Sequence, residues 1–153
     1  CLSIIKFIYV CCPSNLRFKR YHKKKVNFHS AEGSFFCNKF GVLGLQSREG
    51  GYLNAKQIEA VRRALESLKD KYVRIKINVY PQFSRTKKPV SSRMGKGKEN
   101  MPIAAAVKQG QVLFELSQFA ADVFVDRRPF YVHVLSKAMK KLPFKSRIVE
   151  LKY

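Results

Sequence analysis

The sequence predicts an α+β domain in which two helices pack on a largely antiparallel sheet. Three observations carry this expectation: an amphipathic helical repeat from Asn54 to about Asp70, two-residue alternation over Val73 to Tyr80, and a second helical stripe from about Pro129 to Leu142. At 153 residues the chain has room for one such domain plus an arm or tail. Its 46% hydrophobic content, with 12 Phe and 7 Tyr, is enough for a core, so it is not simply a disordered polycation.

The first helix begins at Asn54, whose short polar side chain suits an N-cap, with Gln57 three positions on where a capping box needs it. Ile58, Val61, Leu65 and Leu68 then recur at helical spacing and define the buried face. On the outer face Lys56, Arg62, Arg63 and Lys69 mix with Glu59, Glu66 and Asp70, so pairs three or four residues apart neutralise most of the charge. A solvated face is the favoured reading there, with Arg62 and Arg63 kept as candidate RNA contacts.

In the next element Val73, Ile75, Ile77 and Val79 point to one face of a half-buried strand and Arg74 and Lys76 to the other. From Pro81 to Pro102 the pattern lapses into Pro, Ser, Thr, Gly and Lys, and an extended loop over 81–102 is expected; loops of that length are functional or disordered. Ile103–Val107 and Val112–Leu116 flank Lys108-Gln109-Gly110-Gln111 and predict a hairpin with glycine in its turn. The second helix is expected to start near Pro129 and to bury Tyr131, Val134, Leu135, Ala138 and Leu142. Lys137, Lys140 and Lys141 complement its C-terminal dipole before Pro143 stops it. His133 falls on the polar side and reads as an ordinary surface histidine. Phe144 to Tyr153 supplies a closing strand, and no internal repeat is present.

Two segments precede this 31–153 domain. Residues 1–13 form an apolar extension, too short to cross a bilayer as a helix and without the cleavage site of a signal peptide or the Arg and Ser enrichment of a mitochondrial presequence. A signal-peptide-like core and a segment that packs against a partner protein are equal alternatives. Residues 14–30 form a basic arm in which Arg17, Lys19, Arg20, Lys23, Lys24 and Lys25 surround Phe18, Tyr21 and His22, with no acid before Glu32. Cations grip phosphates regardless of sequence while aromatic rings stack on exposed bases, a combination that suits RNA. Attraction to an anionic membrane is the weaker alternative, because the arm lacks an amphipathic repeat.

The chain carries 31 Lys and Arg against 10 Asp and Glu, a formal charge of +21, and so expects an anionic partner. The densest stretch after the arm is Val90-Ser91-Ser92-Arg93-Met94-Gly95-Lys96-Gly97-Lys98, just beyond Lys87 and Lys88, which are themselves candidate RNA contacts. Gly95 and Gly97 let the backbone approach a polyanion closely, and Lys96 and Lys98 neutralise it. A soluble, flexible loop is the competing reading of Gly-Lys-Gly-Lys taken alone.

Cys1, Cys11, Cys12 and Cys37 make no Cys-x-x-Cys pair, and His22, His29 and His133 are scattered, so neither a metal site nor a cofactor is expected. Free thiols in a reducing compartment fit better than a disulfide framework. No nucleophile and base stand at workable spacing, no carboxylate pair lies in an apolar setting, and Gly95-Lys96-Gly97 completes no nucleotide-binding fingerprint. The chain therefore does not read as an enzyme and expects no small-molecule substrate.

Several motifs, in order, resemble one family: the bacterial and organellar large-subunit ribosomal protein L-sixteen, whose archaeal and eukaryotic cytosolic relatives are called L-ten-e. Arg17-Phe18-Lys19-Arg20-Tyr21-His22-Lys23 is similar to its basic N-terminal segment, and Leu53 to Ala64 to its first helix. Lys88-Pro89 followed by Arg93-Met94-Gly95-Lys96-Gly97-Lys98 is similar to its extended loop, and Lys141-Leu142-Pro143-Phe144-Lys145 to its final helix-to-strand junction. The resemblance runs from about Arg17 to Val149 and implies an α/β-hammerhead-like fold in the large subunit near the A-site. By position, Arg17 to Lys25 hold ribosomal RNA and Arg93 to Lys98 form a loop tip close to tRNA and the peptidyl-transferase region. The implied partners are large-subunit rRNA, A-site tRNA with P-site tRNA as a secondary candidate, and neighbouring ribosomal proteins.

The chain departs from that family pattern in three places. Glu99 stands where the family usually has glycine, Met101-Pro102-Ile103 replaces a stretch that commonly bears Trp, and Gln46 to Tyr52 replaces a shorter, more arginine-rich turn. With the apolar extension, these departures suit a mitochondrial ribosome in the matrix more than another organellar or a bacterial one. A free-standing RNA-binding or anionic-membrane-surface protein is the alternative of a different class.

Overall fold

The computed structural model describes residues 28–29, 41–68, 73–91, 93–95, 97, 99–118 and 122–150. Strand β1 (Gly41–Ser47) and strand β2 (Gly51–Asn54) lead into helix α1 (Ala55–Leu65) and a 3-10 turn (Glu66–Leu68). Strands β3 (Val73–Ile77), β4 (Phe83–Lys87), β5 (Glu99–Val107) and β6 (Val112–Gln118) follow, then helix α2 (Asp122–Met139) and strand β7 (Ser146–Glu150). The strands form two antiparallel sheets, one ordered β3-β6-β1-β7 and the other β2-β5-β4. Two described helices on antiparallel strands make this the expected α+β fold, although the strands divide between two sheets.

Helix α1 forms where its periodicity requires. The Asn54 amide donates to Gln57 Oε1 at 3.0 Å, so one otherwise orphaned N–H at the helix start is satisfied by the capping glutamine. Ile58, Val61 and Leu65 are buried along one face, and Leu68 in the 3-10 turn continues it. Helix α2 buries Tyr131, Val134, Leu135 and Ala138 in the same core, while His133, Lys137 and Lys140 stay exposed. In β3, Val73 is buried, Ile75 and Ile77 pack partly against the core, and Arg74 and Lys76 face outward, as alternation demands. The central strand β6, paired on both sides, is buried over Val112 to Leu116. That burial includes Glu115, which accepts a hydrogen bond from Asn78 Nδ2 at 2.6 Å. A buried carboxylate needs such a donor because leaving it unpaired costs far more than the bond returns.

Three expectations change. The turn at Lys108 to Gln111 exists, with Gly110 at φ +81°, but the strands it joins do not pair with each other: β5 lies in one sheet and β6 in the other. Strand β1 captures the turn instead. The Gly110 amide donates to the Ser47 carbonyl at 2.9 Å, the Ser47 amide to the Gln111 carbonyl at 3.0 Å, and Ser47 Oγ to the Lys108 carbonyl at 2.7 Å. Turn chemistry fixes a reversal locally, whereas strand partners are chosen by long-range burial.

Within the expected loop over 81–102, residues 83–87 form β4 and 99–102 the first part of β5, leaving 88–98 as the connection between them. Phe83-Ser84-Arg85-Thr86-Lys87 has the alternation of an edge strand, with Arg85 and Lys87 exposed, and its polar composition disguised it. Helix α2 begins at Asp122 rather than near Pro129, and Pro129 lies inside it. Proline cannot donate to the preceding turn, which makes it a plausible start, but it can be carried within a helix at the loss of one hydrogen bond. Strands β1 and β2 have no counterpart among the expected elements. The closing strand is present as β7 at the edge of the larger sheet, beside β1.

Candidate nucleic-acid interface

Strands β4 and β5 form a two-stranded projection whose register sets Lys87 opposite Glu99, Thr86 opposite Asn100, Arg85 opposite Met101 and Phe83 opposite Ala104. The pairing is irregular between Phe83 and Arg85. Pro102, which has no amide to give to a ladder, sits across from that irregularity, where a strand tolerates it. The paired strands lead into the 88–98 connection at their Lys87–Glu99 end.

At the tip Lys88, Arg93, Gly95 and Gly97 are all exposed, and Val90 and Met94 are 88% and 95% exposed. Ser91 at φ +63° and Gly95 at φ +91° turn the chain through the left-handed region. Gly95 therefore meets a backbone requirement. Gly97 does not, and a Cβ there would meet nothing within 4 Å. Lys96 and Lys98 lie outside the described residues.

Arg62 and Arg63, the candidates on α1, are engaged within the protein. Arg62 grips Glu59 with two nitrogens, Nε to Oε2 at 2.9 Å and Nη2 to Oε1 at 2.8 Å, and its Nη1 lies 3.6 Å from Glu66. Arg63 Nε donates to Glu59 Oε1 at 3.2 Å, but its side chain is 66% exposed. The Arg62 hydrogen bonds are the largest influence on Glu59 and hold its carboxyl below the ordinary value of 4.5; partial burial pushes the other way and Arg63 adds to the lowering. The favoured reading of a solvated, internally paired face fits Arg62 better than Arg63.

The arm residues Arg17, Lys19, Arg20, Tyr21, His22, Lys23, Lys24 and Lys25 lie outside the described residues, as do all four cysteines. Where the arm meets the domain, however, Phe28 is described and firmly seated. Its carbonyl accepts from the Gln109 amide at 2.9 Å, and its ring stands edge-on to Tyr52 with centroids 5.1 Å apart. Gly50 passes so close that a Cβ there would come within 2.4 Å of Phe28 Cβ and 2.7 Å of its carbonyl oxygen. On β4, Arg85 Cζ lies 4.8 Å from the Tyr52 ring centroid. The cationic projection and the end of the arm thus converge on one tyrosine.

Phe28, Tyr52 and Arg85 belong to none of the motifs that mark candidate sites in the sequence. The one available signal was the alternation of Phe83 to Lys87, which would have put Arg85 on a strand face; nothing local pairs it with Tyr52. Among the described residues no group of His, Cys, Asp and Glu could hold a metal ion, and no helix is long and apolar enough to cross a membrane.

A family model described as ribosomal protein L16p/L10e matches residues 13–149. Among curated proteins the chain is similar to the large ribosomal subunit protein uL16 of Neorickettsia sennetsu, with 37% identity over 139 residues, covering 90% of this chain and 94% of that protein. The protein of the same name from Cutibacterium acnes is 36% identical over 138 residues, covering 90% and 93% respectively. That from Rickettsia bellii is 36% identical over 138 residues, covering 90% and 95%.

Proposed function

The chain belongs to the ribosomal protein L16p/L10e family, and from that membership we propose that it is a structural constituent of the large ribosomal subunit, held there by ribosomal RNA and neighbouring proteins. Its role is architectural rather than enzymatic. The observation that carries this reading is the family match over 13–149, which takes in the basic arm and the cationic projection together.

Within the subunit, the arm at 14–30 supplies sequence-independent grip on rRNA phosphates, and the 88–98 tip supplies a local contact near A-site tRNA and the peptidyl-transferase region. The tip's exposed Arg93, its left-handed turns and the open space at Gly97 support that division. The relatives compared above are bacterial. The apolar 1–13 extension and the departures at Glu99 and Met101 to Ile103 support a mitochondrial ribosome.

Sedimentation of the endogenous protein from purified mitochondria after a high-salt wash tests both levels, since salt strips loosely held cations. Salt-resistant co-sedimentation with large subunits is expected. Recovery in the free fraction would overturn the ribosomal reading in favour of a free-standing RNA-binding or membrane-surface protein. Absence from mitochondria with recovery on ribosomes of another compartment would overturn the location alone.

A further inference from the structure

Arg85 is exposed and, among the described residues, has no carboxylate partner, whereas Arg62, Arg63 and Arg128 are paired with Glu59, Glu59 and Glu150. Its Cζ lies over the Tyr52 ring, 4.8 Å from the centroid. A cation over an aromatic ring at an exposed position contributes little to folding, so this pair orders the guanidinium more than it stabilises the domain. Tyr52 is itself held: Phe28 meets it edge-on at an interplanar angle of 86°, and Phe28 is fixed by Gln109. Across the strand pair the register sets Tyr52 opposite Ala106, a small residue that does not crowd the ring.

We propose that the solvent-facing side of the Arg85 guanidinium, held over Tyr52, is a stacking site for an unpaired RNA base, positioned where the basic arm meets the projection. A planar cation already ordered on one face loses little freedom when a base covers the other. The +21 charge of the chain makes an RNA the fitting partner. A base inside a duplex has no free face to offer, so the site selects unpaired nucleotides. The proposal rests on the rRNA reading above and narrows it to one residue cluster.

The full chain, as wild type and as Arg85→Lys, is titrated over a range of salt with a single-stranded oligoadenylate of about twelve nucleotides carrying one 2-aminopurine, and with an RNA duplex of equal length. Lysine keeps the charge and removes the plane. The expected result is binding to the single strand roughly tenfold weaker, with reduced 2-aminopurine quenching, an unchanged salt slope and unchanged duplex binding. Single-strand affinity and quenching equal to wild type would overturn the site, as would equal weakening on both RNAs. Failure of the wild-type chain to bind either RNA would instead overturn the RNA reading on which the site depends.

Discussion

Arg147 Nε donates to Gln46 Oε1 at 2.7 Å across 101 residues of sequence. The other end of the same amide, Gln46 Nε2, donates to the Gly110 carbonyl at 2.6 Å. Gln46 is only 2% exposed, so one buried amide ties β1 at once to β7 and to the turn between the two sheets. Gln46→Leu keeps the volume and removes both bonds. It should cost about 1–3 kcal/mol of unfolding free energy in a urea titration, because the Gly110 carbonyl loses its donor. A change within about 0.5 kcal/mol would show that the amide is incidental.

Gly50 and Gly51 are adjacent but differ in what a methyl group would meet. At Gly50 it collides with the Phe28 backbone, while at Gly51 the nearest atom is Phe144 Cδ1 at 3.4 Å. Gly50→Ala should therefore destabilise by about 1–3 kcal/mol or displace Phe28, and Gly51→Ala by much less. Equal stability of the two variants by thermal denaturation would contradict the tight seating of Phe28.

The lowered titration of Glu59 has a definite sign. Its carboxylate contribution is fully present above the ordinary value of 4.5 and is lost as pH falls through the depressed folded value. Urea midpoints measured for wild type and Glu59→Gln should differ at neutral pH and converge in acid. The same substitution removes the Glu59 carboxylate from the exposed Arg63 and from Arg62, which keeps Glu66 3.6 Å away, so if α1 touches RNA the log–log salt slope should steepen, by roughly 0.7 to 0.9 for each phosphate gained. An unchanged slope would leave these arginines as parts of a solvated face.

The exposed tip separates stability from function. Met94→Ala removes a side chain 95% in solvent and should alter unfolding free energy by no more than about 0.5 kcal/mol. Replacing Arg93, Lys96 and Lys98 together by Ala should impair tRNA binding or translation more than incorporation into subunits. Equal loss of assembly would contradict a division of labour between arm and tip.

The sequence by itself determined what depends on near neighbours. The Asn54–Gln57 cap, the buried stripe of Ile58, Val61 and Leu65, the alternation of Val73 to Ile77, and the left-handed Gly110 all follow from contacts within a few residues. The expectation of an anionic partner rests on charge alone, since +21 is a property of composition. Only the tertiary structure decided that β5 and β6 leave their shared turn for different sheets, because strand pairing is settled by burial among residues far apart in sequence. For the same reason the meeting of Phe28, Tyr52 and Arg85 was invisible in the chain. Each of those side chains is ordinary where it stands, and only the tertiary fold brings Phe28 and Arg85, from distant segments, onto the Tyr52 ring.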